Sequence, residues 1–90
     1  MNAVSASNGT VSNVITTTSS NSVSIFGSTT GTGGITVEVS ADNTNFYSVG
    51  YSLFADSSGQ FSSSFPNHIS NYWRIKATET ATITATLLHN

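Results

Sequence analysis

Apolar and polar residues alternate along much of this chain, and the alternation has the period of a β-strand. In Ile35-Thr36-Val37-Glu38-Val39-Ser40 the aliphatic side chains fall on one face, and Thr36, Glu38 and Ser40 fall on the other. That pattern predicts a half-buried antiparallel strand. Ala41 to Asn45 is rich in Asp, Asn and Thr, residues that turn the backbone through their own hydrogen bonds. Phe46 to Leu53 then reads as the return strand of a hairpin. A second turn, Asp56-Ser57-Ser58-Gly59, leads into a short strand from Gln60 to Phe65, with Phe61 and Phe65 on one face. Pro66 has no N–H to give a ladder and ends it.

Tyr72 to Thr78 is the clearest strand: Trp73, Ile75 and Ala77 share one face, while Tyr72, Arg74 and Lys76 share the other. After a turn at Glu79-Thr80, Ala81, Ile83, Ala85 and Leu87 alternate with Thr82, Thr84 and Thr86. The first third of the chain is weaker. Thr10 to Thr18 has β-branched content, and Ser22 to Phe26 places Val23 and Ile25 inward. Gly27 to Gly34 reads as a flexible connection, and residues 1–9 as an extended, flexible N-terminal arm.

No window carries the apolar repeat of a helix. About seven short strands at intervals of roughly 8–12 residues predict an all-β fold, a small antiparallel β-sandwich of jelly-roll or immunoglobulin-like order. Residues 10–90 form its single domain. The expected core is Val23, Ile25, Ile35, Val37, Val39, Phe46, Phe61, Trp73, Ile75, Ile83 and Leu87.

Composition changes the picture in one direction. Charged residues are 7% of the 90, against about 25% in ordinary domains. Only Arg74 and Lys76 are basic, and the formal net charge is −2. Nucleic-acid binding needs several phosphate-neutralising cations, so it is not expected here. The same shortage argues against an anionic membrane partner. No stretch approaches the roughly 18 apolar residues of a membrane span. Met1 to Asn13 has neither the basic nor the apolar region of a secretory signal. Ser, Thr, Asn and Gly replace the missing charge and give a hydrated surface with little repulsion against close neighbours. A chain this short, with no cysteine, gains stability by burying surface against partner subunits.

Candidate chemistry is thin. A nucleophilic Ser needs a base and an orienting acid, and His68, in a loop, and His89, at the end, are the sole candidate bases. No enzyme activity, metal or other cofactor is expected. Asp42-Asn43-Thr44-Asn45 offers calcium too few carboxylates and reads better as an Asx turn. A saccharide-binding surface would use exposed aromatic rings, with Tyr47, Tyr51, Tyr72 and Trp73 as candidates, although Trp73 fits the core better. Arg74 and Lys76 lie beside Tyr72, within reach of a cross-strand partner such as Glu38 or of an acidic neighbour. Tyr47, Tyr72, Arg74 and Lys76 are therefore the candidate interface or ligand residues.

The run from Ile35 to Phe46 resembles a pattern found in small β-sandwich proteins of bacteriophage virions, with Asp42-Asn43 and Phe46 where Asp-Gly and Trp are usual. Phe61 to Phe65, Trp73-Arg74-Ile75 and the Thr-rich stretch from Thr82 to Leu87 resemble the strands that follow it, so the likeness covers about residues 35–88. The resemblance implies a virion location and a structural role as a capsid decoration (cement) protein or a tail module. Its implied partners are the major capsid protein or other virion proteins and copies of itself, with a trimer as the implied homo-oligomer. The competing reading is a carbohydrate-binding or adhesive module, which predicts a monomer with glycan affinity through Tyr72 and Tyr47.

Overall fold

The computed structural model describes residues 2–7, 9–17, 22–31, 34–66, 70–78 and 81–89. They form eight strands: β1 (Asn2–Ser7), β2 (Ile15–Thr16), β3 (Ser22–Thr30), β4 (Ile35–Ser40), β5 (Tyr47–Leu53), β6 (Gln60–Pro66), β7 (Tyr72–Ala77) and β8 (Thr82–His89). No helix occurs among the described residues. Two four-stranded sheets result, in the orders β1-β8-β3-β6 and β2-β7-β4-β5, and every pairing is antiparallel.

The pairings are nested. The first strand pairs with the last, β2 with β7, β3 with β6, and β4 with its neighbour β5. Such a chain is one long antiparallel ribbon folded back at the β4–β5 hairpin. The ribbon is rolled so that β3 also pairs with β8, and β4 with β7. That is the jelly-roll order, and it decides between the two sandwich orders the sequence leaves open.

Alternation places the core between the sheets. Trp73, Ile75, Ile35 and Val37 from one sheet meet Ile25, Ile83, Leu87 and Val4 from the other, all essentially without exposure. The Trp73 ring lies 5.3 Å from that of Phe65, tilted by 54°, an arrangement that suits the ring quadrupoles. Buried hydroxyls are bonded: Ser12 Oγ accepts from Ile75 N at 2.9 Å, and Thr17 Oγ1 donates to Ser70 O at 2.6 Å.

Several expectations are corrected. Residues 2–7, expected within a flexible arm, are strand β1, paired along its length with β8. Val4 and Ala6 point inward there and are buried. Without β1, the outer ladder of β8 would be open. Gly27 to Thr30, expected as part of a flexible connection, continues β3, because β6 and β8 hold that segment from both sides. Among the described residues of the Thr10–Thr18 segment, Ile15–Thr16 alone is a strand, with an isolated bridge from Val11 to Lys76. Phe46, expected in the core, is half-buried at the mouth of β5 beneath Arg74. Val39 is partly exposed and packs against the core from its rim. The turn expected at Glu79-Thr80, the residue His68 and most of the loop after Pro66 lie outside the described residues.

Candidate functional site

A concave surface lies on the outer face of the β1-β8-β3-β6 sheet. Val23 and Ile25 face inward, so the strand period turns Phe26 outward. Its cross-strand neighbours are Thr86 on β8 and Ser62 on β6. The ring is 45% exposed in the middle of the sheet. Beside it runs a shallow, open groove of about 810 Å³, bordered by Ser28, Gln60, Thr84 and Thr86 and, on the far wall, by Asp56 and by Phe54 at 72% exposure.

Gly27 makes this face tight. It lies opposite Ala85 and Phe61, and a Cβ there would stand 2.5 Å from Thr84 O and 2.6 Å from Ala85 Cβ. The missing side chain lets β8 close on β3 directly beneath Phe26. Around the ring the face carries hydroxyls, and Ser24 and Ser64 bring theirs to 3.2 Å across the β3–β6 pair. The four strands of this sheet contain no Asp, Glu, Lys or Arg.

Every charged strand residue lies in the other sheet: Glu38 on β4, Arg74 and Lys76 on β7. Glu38 and Arg74 stand directly opposite one another in the β4–β7 register. Arg74 Nε lies 2.7 Å from Glu38 Oε1, and its guanidinium carbon is 3.9 Å above the Phe46 ring. The cross-strand pair contributes about 0.2–1 kcal/mol and the cation–π contact about 0.5–1 kcal/mol. Arg74 is thus held by its own sheet, whereas Lys76, opposite Thr36, is exposed.

The candidate tyrosines do not make one platform. Tyr72 is half-buried and in register with Ser40. Tyr47, at 67% exposure, is in register with Val39, which in turn faces Trp73. The two tyrosines therefore belong to opposite sides of the sheet. Of the four candidates, Tyr72, Arg74 and Lys76 share a face, as their spacing predicts, and Tyr47 stands apart.

The acidic turns are occupied by their own backbone. Asp42 Oδ1 accepts from Thr44 N and Asn45 N, each at 2.9 Å, and from the Ser40 hydroxyl at 3.0 Å. Its Oδ2 accepts from Asn45 Nδ2 at 3.0 Å. The Asn45 and Thr44 backbone N–H groups, with the Asn45 and Ser40 side chains, hold this carboxyl far below its ordinary value. The Ser58 hydroxyl and the backbone N–H groups of Gln60 and Ser58 lower Asp56 likewise. Among the described residues, no group of His, Asp and Glu is gathered to hold a metal ion.

Phe26 and Phe54 were not among the residues the sequence singled out. The inward placement of Val23 and Ile25 carried the signal for Phe26. Phe54 sits in the β5–β6 connection, where no period applies. No family model matches the chain, and neither does any curated protein or solved structure.

Proposed function

We propose that this chain is a structural component of a virus particle, a capsid decoration protein that binds the shell protein and its own copies by packing. One observation carries the reading: the four strands of one sheet contain no Asp, Glu, Lys or Arg, and their outer face presents an exposed phenylalanine at its centre, with Asp56 alone bringing a charge to the rim of the groove. Protein interfaces are depleted of charge at their core and anchored by a few aromatic rings. Burying hydroxyls that find partners costs far less than burying ions. Such a face gives weak contacts, and repetition over a shell sums them. The resemblance of residues 35–88 to phage virion sandwiches supplies the location. The jelly roll agrees with it only by analogy, because it serves capsids and lectins alike.

Tagged protein supplied to infected cells is expected to band with purified particles in a density gradient. Phe26→Lys, which charges the centre of the face without touching the core, is expected to leave it in the soluble fraction. Wild-type protein that never bands with particles would end the proposal.

A second reading has its own observation. The groove between Phe26 and Phe54, lined with hydroxyls, the Gln60 amide and the Asp56 carboxylate, has the volume and chemistry of a saccharide site. It predicts glycan affinity that Phe26→Ala abolishes, in a protein that ignores the particle.

A further inference from the structure

A sandwich has four edge strands, and an open edge offers unpaired N–H and C=O groups to any strand that approaches. Three of the four edges here are blunted by the chain itself. β2 is two residues long. β5 shifts register against β4 between Thr36 and Glu38, and its Gly50 has φ +110°. Along β1, Ala3 C=O accepts from Asn13 Nδ2 at 3.0 Å, and Ser7 C=O accepts from Thr10 N at 2.9 Å. Thr10 Oγ1 also meets Ser7 N at 3.3 Å.

β6 differs. Gly59 C=O accepts from Thr29 N on β3, at 2.8 Å. Gln60, next in sequence, turns both backbone groups the other way, toward Asp56: its C=O accepts from Asp56 N at 2.9 Å, and its N–H donates to Asp56 Oδ1 at 3.0 Å. Backbone groups alternate sides along a strand. Phe61, Ser63 and Phe65 therefore bond β3, while Ser62 and Ser64 direct theirs outward. Among the described residues nothing meets those groups. The strand runs in regular register with β3, carries no charge, and ends at Pro66, which has no N–H.

We propose that β6 of one copy pairs antiparallel with β6 of a second copy about a two-fold axis at Ser63, joining two four-stranded sheets into one. In this register Ser62 faces Ser64 of the second copy and Ser64 faces its Ser62, each pair exchanging both N–H···O=C bonds. The pairing is confined to Ser62–Ser64: Asp56 holds the position beside Gln60, so each strand leaves the ladder before its Pro66 would come opposite Gln60 of the other copy. Neither strand brings a charge to the other, so self-apposition meets no repulsion. This edge builds a pair, not the trimer that the family resemblance implies, and it does not depend on the Phe26 face.

The test is sedimentation velocity from micromolar concentration up to about 1 mM, since an edge contact is smaller than a standard interface. Wild type is expected to move from monomer to dimer. Ser64→Pro removes an outward N–H and an exposed hydroxyl contact with Ser24 but no bond of the β3–β6 ladder, so it is expected to keep the native Trp73 emission and remain monomeric. Phe26→Lys is expected to lose particle binding and still dimerise. Should Ser64→Pro fail to fold, amide exchange of the wild type decides. Ser62 and Ser64 are expected to exchange at least tenfold faster on dilution, with Ser63 protected throughout. A wild-type monomer at every concentration, a Ser64→Pro variant that pairs as well as wild type, or exchange at Ser62 and Ser64 that ignores concentration would each overturn the proposal.

Discussion

At Gly27 the sheet depends on an absence. Its φ is ordinary for a strand, so the requirement is space: a methyl group would collide with backbone and Cβ atoms of β8. Ladder and core hold those atoms from both sides, so they have little room to yield. Gly27→Ala is expected to cost about 1–3 kcal/mol, in the range of overpacked cores, read as a lower urea midpoint with an unchanged slope. The next residue back, Phe26, has the opposite character. Its ring is partly free, and shortening it to Ala is expected to leave the midpoint nearly unmoved. A glycine that binds strands together thus stands next to a phenylalanine available to a partner.

Among the elements, the two acidic turns set how the fold answers acid. In the folded chain Asp42 titrates far below the ordinary value of about 3.9, and Asp56 below it. A depressed folded-state pKa adds stability above the unfolded value, and that stability is lost as pH falls toward the folded one. The urea midpoint is therefore expected to be flat from pH 7 to about 5 and to fall below about pH 4. Asp42→Asn should lower it at neutral pH and flatten the acid decline; an unaltered acid profile in that variant would contradict the assignment. These turns, with β4, β6, β7 and β8, were legible in the sequence because Asp and Asn flank clean alternation of large and polar side chains. β1 was not. Its inward residues are Val4 and Ala6, too small to stand out against serine, and its partner lies at the far end of the chain. The second half of β3 has no apolar residue after Phe26 to mark a face. The site was half legible for the same reason. The threonine row of β8 was visible as a polar face, but only pairing with β3 and β6 sets Phe26 in its midst.

Across the whole molecule, the nesting makes contacts long in sequence. Only the β4–β5 hairpin is closed by a short turn, and each further pair encloses all those inside it, until β1 meets β8. Chains dominated by distant pairings fold slowly, since loop closure is lost before contact is gained. Refolding followed by Trp73, the single tryptophan and fully buried, is expected in milliseconds to seconds. A microsecond phase carrying the full signal would contradict this. The division of charge between the sheets has a further consequence for the molecule in its surroundings. Mobile ions screen charges, and the strands of one sheet carry no Asp, Glu, Lys or Arg, with Asp56 alone at the rim of its groove. Adhesion through that sheet would vary little with ionic strength across fresh, cellular and saline water, and sulfate-type salts, which favour burial, would tighten it.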